Sequence, residues 1–131
     1  MQIEIVVEGV PIPQGSFRHI GNGRIIAANS KLNAWRDTIA KAASSQTDVR
    51  NYLGAVEVEC VFIMPRPKSV KRESHTVKPD VDKLIRSCFD SISLSRYCQI
   101  IQDDSQITNV SAVKFYSETD FTGAIIRIYN I

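Results

Sequence analysis

Alternation of apolar and polar residues predicts several β-strands along the chain. The clearest is QIEIVVEGV near the start, where Ile3, Ile5 and Val7 fall on one side, as in a half-buried strand. The same two-residue period runs through AVEVECVFIM, and later strands are predicted at VSAVKFYS and GAIIRIYN. A shorter apolar stretch, GRIIAAN, is interpreted as one more short strand.

Two stretches instead carry apolar residues three or four positions apart, the spacing of one helix face. The first predicted helix begins at Ser30, a suitable N-cap, and ends near the Ser44-Ser45 pair. The second begins at Asp80. Their inner faces are formed by Leu32, Trp35, Ile39 and Ala42 in the first helix and by Leu84, Ile85, Cys88, Phe89 and Ile92 in the second.

Proline, glycine and polar residues mark the segments between these elements as loops. PIPQGSFRHIGNG follows the first strand, and PRPKSVKRESHTVKP, with three prolines, cannot be regular. DDSQI connects the second helix to the last two strands. This order predicts an α+β fold, in which one domain spanning residues 1–131 packs two helices against one mixed or antiparallel sheet.

The composition agrees with one ordinary globular domain. Of 131 residues, 44% are hydrophobic and 23% are charged, which suffices for one core but not for two. The apolar runs fall short of the roughly 20 residues that a membrane helix needs, and Glu4 and Glu8 interrupt the N-terminus where a signal peptide would be apolar. A cytoplasmic protein is therefore expected. Cys60, Cys88 and Cys98 form no CxxC pair, which indicates a reducing compartment rather than disulfides or zinc.

The charge is small overall but uneven along the chain. A formal net charge of +2 excludes a histone-like polycation, so nucleic-acid binding would need local positive charge. Residues 65–79 supply it, because this stretch contains five Lys and Arg residues and only one acidic residue, a Glu. Such a loop suits a phosphate backbone, although a solvated loop without a partner would have the same composition.

Two aspartates open the second predicted helix in the stretch KPDVDKLIR. Because Lys78 precedes a proline, it is expected to be extended, which makes Asp80 the N-cap and Asp82 the second helical residue. Side chains two positions apart inside a helix diverge by about 200°, but an N-cap side chain folds back over the helix end and can meet Asp82. The helix dipole favours the ionised form of both, and ionised oxygens are what Mg²⁺ requires.

The same residues also have a purely structural interpretation. Aspartate at an N-cap is ordinary helix chemistry, and Asp82 with Arg86 has the spacing of an i,i+4 ion pair. A further acidic pair, Asp103 and Asp104, lies in DDSQI, where only one of the two side chains is expected to face the site. The structural alternative for that pair is a turn. From these residues alone, metal binding and capping both stay open.

With both acidic segments in view, the chain resembles the RusA family of Holliday junction resolvases. The likeness rests on KPDVDKLIRSCFDSI, with its two acids opening a helix, and on DDSQI at this separation downstream. Earlier, VPIPQGSFRH and the helix around LNAWRD are similar to the family's N-terminal half. The resemblance therefore covers most of the chain in the right order.

The resemblance implies a homodimeric, Mg²⁺-dependent endonuclease that cuts four-way DNA junctions symmetrically in DNA recombination and repair. It assigns the metal-binding, catalytic carboxylates to Asp80, Asp82 and Asp104. Arg86 takes the position of a catalytic lysine in much of the family; since guanidinium is effectively never deprotonated, it is expected to orient Asp82 or stabilise charge on the phosphate. Lys83 stands where the family commonly has Asn, and is expected to contact phosphate.

Phosphodiester hydrolysis needs an in-line nucleophile and stabilisation of added negative charge, and carboxylates that hold Mg²⁺ supply both. No Ser-His-Asp or Cys-His arrangement competes, since His19 and His75 lie in polar loops where solvated or DNA-facing side chains are expected. One acid cluster per chain and symmetric cutting together predict a two-fold dimer. Its candidate interface is formed by the strands at the two ends of the sequence, whose edges are expected to be exposed. Contacts to the DNA backbone are predicted for Arg18, Lys71, Arg72, Lys78 and Lys83.

Other functions would use the same residues. The main alternative is a non-catalytic DNA-binding module that kept the fold, which the residues at Lys83 and Arg86 make credible. A related nuclease acting on flaps, forks or RNA would share the chemistry, because phosphate contacts carry no sequence information. In a purely structural protein every acidic side chain would cap a helix or stabilise a turn, and Mg²⁺ would leave the thermal stability unchanged.

Overall fold

The computed structural model of the chain describes residues 1–15, 24–94 and 98–131, and of residues 24–29 it describes only the backbone. The described part confirms the α+β prediction. Its strands are β1 (Gln2–Glu8), β2 (Val56–Met64), β3 (Ile107–Tyr116) and β4 (Gly123–Asn130). Its helices are α1 (Arg24–Gln46) and α2 (Val81–Ser93), and a short 3-10 helix, η1 (Asp104–Gln106), precedes β3.

The strands form one mixed sheet, as predicted, in the order β1-β4-β2-β3. β2 and β3 are parallel, whereas β4 pairs antiparallel with both β1 and β2. The expectation that both terminal strands present free edges is wrong for β4, which lies inside the sheet. The edges belong to β1 and β3.

The core lies between one face of this sheet and the two helices. Alternate residues of β1, β2 and β4 are buried, in agreement with the two-residue period of their sequences. Trp35 and Ile39 of α1 and Leu84 and Ile92 of α2 pack into the same cluster. Burial of each side chain of this size contributes about 1.5–3 kcal/mol, so this shared cluster fixes α2 against the sheet.

The cysteines take structural positions. Cys60, Cys88 and Cys98 are buried free thiols, and the expected packing role of Cys60 and Cys88 is confirmed. A hydrogen bond with Cys60, together with burial, raises the pKa of the Cys88 thiol well above its usual value. None of the described helices has the length and apolar character needed to cross a membrane.

One helix begins earlier than its sequence pattern predicts. In the stretch GRIIAAN, interpreted as a short strand, residues 24–29 form the first turns of α1, so Ser30 lies inside the helix and is no N-cap. Its adjacent alanines have the highest helix propensity. Extending an existing helix also adds a hydrogen bond per residue without a new nucleation cost, whereas a lone strand needs a partner.

The second sheet face carries apolar residues that neither helix covers in the described part of the chain. Val6, Ile125, Val61 and Val113 are neighbours in register, one on each strand. Val6 and Val113 are exposed, and so is Phe115 on the edge strand. These five residues are called the open sheet face below.

Candidate functional site

Asp80 occupies the N-cap of α2, as predicted, but its side chain does not cap the helix. The backbone oxygen of Asp80 accepts hydrogen bonds from the amides of Lys83 and Leu84, both at 3.2 Å. Its carboxylate makes no capping hydrogen bond. Instead it lies 3.6 Å from Lys83 Nζ, with 53% of the side chain exposed. Helix capping therefore does not account for this carboxylate.

Asp82 and Arg86 are both exposed on α2. The ion pair that their spacing allows is not formed, and neither side chain has a hydrogen-bonding or ionic partner among the described residues. Both are therefore available to a ligand on the outer side of the helix, as far as the described part of the chain shows.

The two aspartates before β3 differ in what they do. Asp103 caps η1: its carboxylate accepts from the Ser105 amide at 2.9 Å, and its own amide donates to Gln106 Oε1 at 2.8 Å. The hydrogen bonds from Ser105 lower the pKa of Asp103. Asp104 is exposed, and its carboxylate has no hydrogen-bonding or ionic partner among the described residues. The turn interpretation thus applies to Asp103, and Asp104 is the available carboxylate of the pair.

The structure brings the elements that carry these carboxylates into contact, because η1 packs against α2. It does not gather the side chains: within the described residues, no three acidic, histidine or cysteine side chains lie close enough together to hold a metal ion. Exposed carboxylates are nevertheless donors that suit Mg²⁺, which is usually held by one or two carboxylates with water and phosphate oxygens completing its shell. The donor chemistry of Asp80, Asp82 and Asp104 fits such an ion.

The basic residues singled out in the sequence fall into different environments. Lys71 and Lys78 are exposed in the irregular loop before α2, and Lys83 is half-buried beside Asp80. Arg72 donates from Nη1 to the Tyr116 hydroxyl at 2.6 Å. Arg18 and His19 lie outside the described residues. The positive charge of the loop therefore borders the start of α2.

Lys114 is a positioning residue that the sequence analysis missed. Its Nζ donates to the backbone oxygens of Val77 at 2.6 Å and Pro79 at 2.8 Å, which ties the turn before Asp80 to β3. Lys114 is in register with the buried Phe62, on the sheet face that the helices cover. The available signal was a lysine at an inward-facing position of an alternating strand.

A cavity of about 640 Å³ opens beside the start of α2. Its lining comes from the segment 10–15, the loop 65–79, the first turn of α2 and the last residues of β2 and β3. Gln14 fastens the first of these walls to α2: its amide donates to the Lys83 oxygen at 2.9 Å, and its Nε2 donates to Asp90 Oδ2 at 2.7 Å. Asp80 and Lys83 both line this cavity.

His75 lies in the wall of the cavity, and the expectation of a solvated side chain is wrong, whereas the DNA-facing alternative stays a prediction. It is 8% exposed, and its ring centroid is 4.8 Å from that of Tyr116. The pKa of His75 is lowered by burial and by the charges of Lys114 and Arg72, with its own backbone acting in the opposite sense. The polar sequence around it gave no sign of burial, because the Tyr116 ring that covers it is distant in sequence.

The comparisons with known proteins place the chain in a family of endodeoxyribonucleases. The family model described as "Endodeoxyribonuclease RusA" matches residues 8–129. The chain therefore belongs to the RusA family, which confirms the resemblance noted in the sequence. It is also similar to "Uncharacterized protein YqaN" of Bacillus subtilis (strain 168), with 30% identity over 139 residues and 95% of each chain covered. Nucleases of this family depend in general on a divalent metal ion.

Proposed function

We propose that this protein is a Mg²⁺-dependent endonuclease that resolves four-way DNA junctions by symmetric phosphodiester hydrolysis in recombination and repair. The observation that carries the proposal is the Asp80 carboxylate, which stands at a helix N-cap without capping it, in a chain of the RusA family. A carboxylate that stands at the positive end of a helix dipole without capping the helix is available as a ligand.

In this proposal Asp80, Asp82 and Asp104 hold the metal. When bound, Mg²⁺ lowers the pKa of a coordinated water and neutralises charge on the phosphate. Asp104 is chosen over Asp103 because the carboxylate of Asp103 is already used within η1. The inclusion of Asp104 rests on the family resemblance, because η1 contacts α2 but no three acidic side chains of the described residues are gathered into a metal-holding group.

Two cations on α2 are proposed to act on the phosphate itself. Lys83 neutralises Asp80 at 3.6 Å in the absence of a metal ion, and turns to the phosphate when Asp80 binds one. Arg86 is exposed and has no partner among the described residues, so its planar guanidinium is free to stabilise charge on the scissile group. The DNA backbone on either side is proposed to lie along Arg18, Lys71, Arg72 and Lys78.

We further propose that two copies associate through the open sheet face. Symmetric cutting needs two sites related by a two-fold axis, and exposed apolar patches commonly mark such interfaces. Next to the apolar row runs a charged row, in which Arg127 donates to Glu4 at 2.9 Å and approaches Glu59 at 3.8 Å. An apolar strip flanked by paired charges suits contact with an identical surface.

The experiment is cleavage of a labelled four-way junction beside a linear duplex of the same sequence, with and without Mg²⁺. We expect Mg²⁺-dependent nicks at symmetric positions of the junction and none in the duplex, with activity abolished in Asp80→Asn and Asp82→Asn. Undiminished nicking by either variant would contradict the proposed chemistry. A junction that is shifted in a gel but never nicked would instead identify a DNA-binding module.

A further inference from the structure

The cavity beside the start of α2 differs in charge between its depth and its mouth. Its buried lining residues include Met64 and Tyr116, and the lining as a whole is rich in proline and aliphatic side chains. The charged lining residues, by contrast, are exposed or half-buried: Arg72, Lys78, Asp80 and Lys83. A flat apolar group with a negative charge at one end matches this arrangement.

His75 gives the cavity a polar group that lacks a protein partner. The residue is 8% exposed, and its ring makes no hydrogen bond with the described residues; Nδ1 is fully buried, which leaves Nε2 as the ring nitrogen for a ligand in the cavity. The ring is held in place through Tyr116, whose hydroxyl accepts from Arg72 Nη1 at 2.6 Å and whose ring lies 4.5 Å below the Arg66 guanidinium carbon. An unpaired polar side chain in a fixed, largely apolar pocket is typical of a position that binds a ligand.

We infer that this cavity receives one unstacked nucleobase of the DNA, with the edge of the base against the His75 imidazole and its phosphate among Lys78, Asp80 and Lys83. The inference rests on the proposed nuclease function and adds a subsite that discriminates between bases. A volume of about 640 Å³ is within the range of pockets that enclose small ligands.

The position of the cavity explains why a four-way junction would use it. A base must leave its stack to enter such a cavity, and this costs least where pairing is already disturbed, as at a branch point. Asp80 lines the cavity and is also a proposed metal ligand, so the base that enters belongs to a nucleotide next to the cut. The protein then selects cutting positions by base identity, which phosphate contacts alone cannot do.

The first test is a cleavage profile over junctions that carry each base at each position flanking the cut. We expect the wild type to prefer one base at one position by about tenfold, since one contact to a base edge discriminates by roughly that factor. The preference should be largely lost in His75→Ala, which removes the polar group, and in Val70→Trp, which fills the cavity. Leu53→Trp places the same large side chain at a position that is 76% exposed and outside the cavity, and should keep the preference.

The second test does not require cleavage. The fluorescent base 2-aminopurine, placed at the same position of the junction, becomes brighter when it leaves the stack. We expect this increase when the junction binds the wild type or Leu53→Trp without metal, and not when it binds Val70→Trp at the same occupancy. Circular dichroism of each variant establishes that it is folded.

The outcomes separate the subsite from the nuclease function. Cutting without base preference, or a preference that survives Val70→Trp, contradicts the subsite and leaves the nuclease function standing. A fluorescence increase without cutting supports the subsite and contradicts the nuclease function. Neither cutting nor an increase contradicts both. If His75→Ala does not fold, the comparison of Val70→Trp with Leu53→Trp tests the subsite on its own.

Discussion

The ammonium group of Lys114 lies 2.8 Å from the backbone oxygen of Pro79, one residue before Asp80. A second hydrogen bond of the same ammonium, to Val77, makes β3 the support of the turn that presents the N-cap carboxylate. The edge strand therefore helps to position the candidate metal ligand, although it contributes no residue to the proposed ligand set.

Lys114→Met should destabilise the protein and slow cleavage more than substrate binding. Hydrogen bonds from a charged donor contribute about 1.5–3 kcal/mol, and their loss frees the turn that carries Asp80. We expect a lower melting temperature, reduced kcat and nearly unchanged junction affinity in gel shifts. Lys114→Arg keeps the charge and should recover part of the rate. Normal kcat in a folded Lys114→Met protein would contradict the positioning role.

Asp104→Asn and Asp103→Asn form a matched pair of adjacent changes. Asparagine caps helices about as well as aspartate, so Asp103→Asn should retain the fold of η1 and most of the activity. Asp104→Asn removes a proposed metal ligand and should lower junction cleavage by about a hundredfold or more, by analogy with loss of a direct charge-stabilising contact. If Asp103→Asn is the more damaging change, the assignment of the ligand is wrong.

Arg86 should act through its charge. Arg86→Lys is expected to remain active, whereas Arg86→Ala should lose about 10²–10³ in kcat, as for removal of a group that stabilises the transition state. Single-turnover cleavage rates at saturating protein measure this directly. Equal activity of Arg86→Ala and the wild type would remove Arg86 from the mechanism, and a large gain in Arg86→Lys would indicate that a proton carrier is needed.

The open sheet face should control association. Val113→Asp places a charge at the edge-strand end of the apolar row and is expected to shift the protein from dimer to monomer in analytical ultracentrifugation. Cutting of the two opposed strands should then become uncoordinated, leaving singly nicked junctions. Leu53→Asp, on an exposed residue outside this face, is the control and should leave the dimer intact. A dimeric Val113→Asp protein would place the interface elsewhere.

The lowered pKa of His75 makes stability depend on pH. In the folded protein the pKa of His75 lies below its ordinary value of 6.5. Below that pH the unfolded chain therefore binds more protons, and the free energy of unfolding falls as the pH falls. His75→Gln should show a weaker loss of melting temperature from pH 7 to pH 5 than the wild type and His19→Gln, the control at the other histidine. An equal loss in all three proteins would contradict a buried, neutral His75.

Sequence pattern was sufficient where a local period reflects one-sided burial. The strands β2 and β4 and the helix α2 follow from alternation or three-to-four spacing, and the N-cap position of Asp80 follows from the proline before it. The family resemblance came from the same acidic stretches, which is why family and fold could be anticipated together. Local chemistry and local structure coincide in this part of the chain.

The remaining features depend on contacts between residues distant in sequence. The burial of His75 depends on Tyr116, and the support of the turn before Asp80 depends on Lys114. Both residues belong to β3, which comes much later in the chain. The early start of α1 was missed for a different reason, because a short apolar stretch fits a strand or a helix until its neighbours are known. In each case the deciding partner was absent from the local pattern.

The cavity and the proposed metal ligand Asp80 lie at the end of the sheet where β2 and β3 both finish, at Met64 and Tyr116. This location restricts how two copies can be arranged back to back. A rotation axis running along the strands keeps both strand ends, and thus both reactive centres, pointing the same way. An axis that lies in the interface and runs across the strands would place the two reactive centres at opposite ends of the dimer. Only the first arrangement lets a single branched DNA molecule rest on both centres at once.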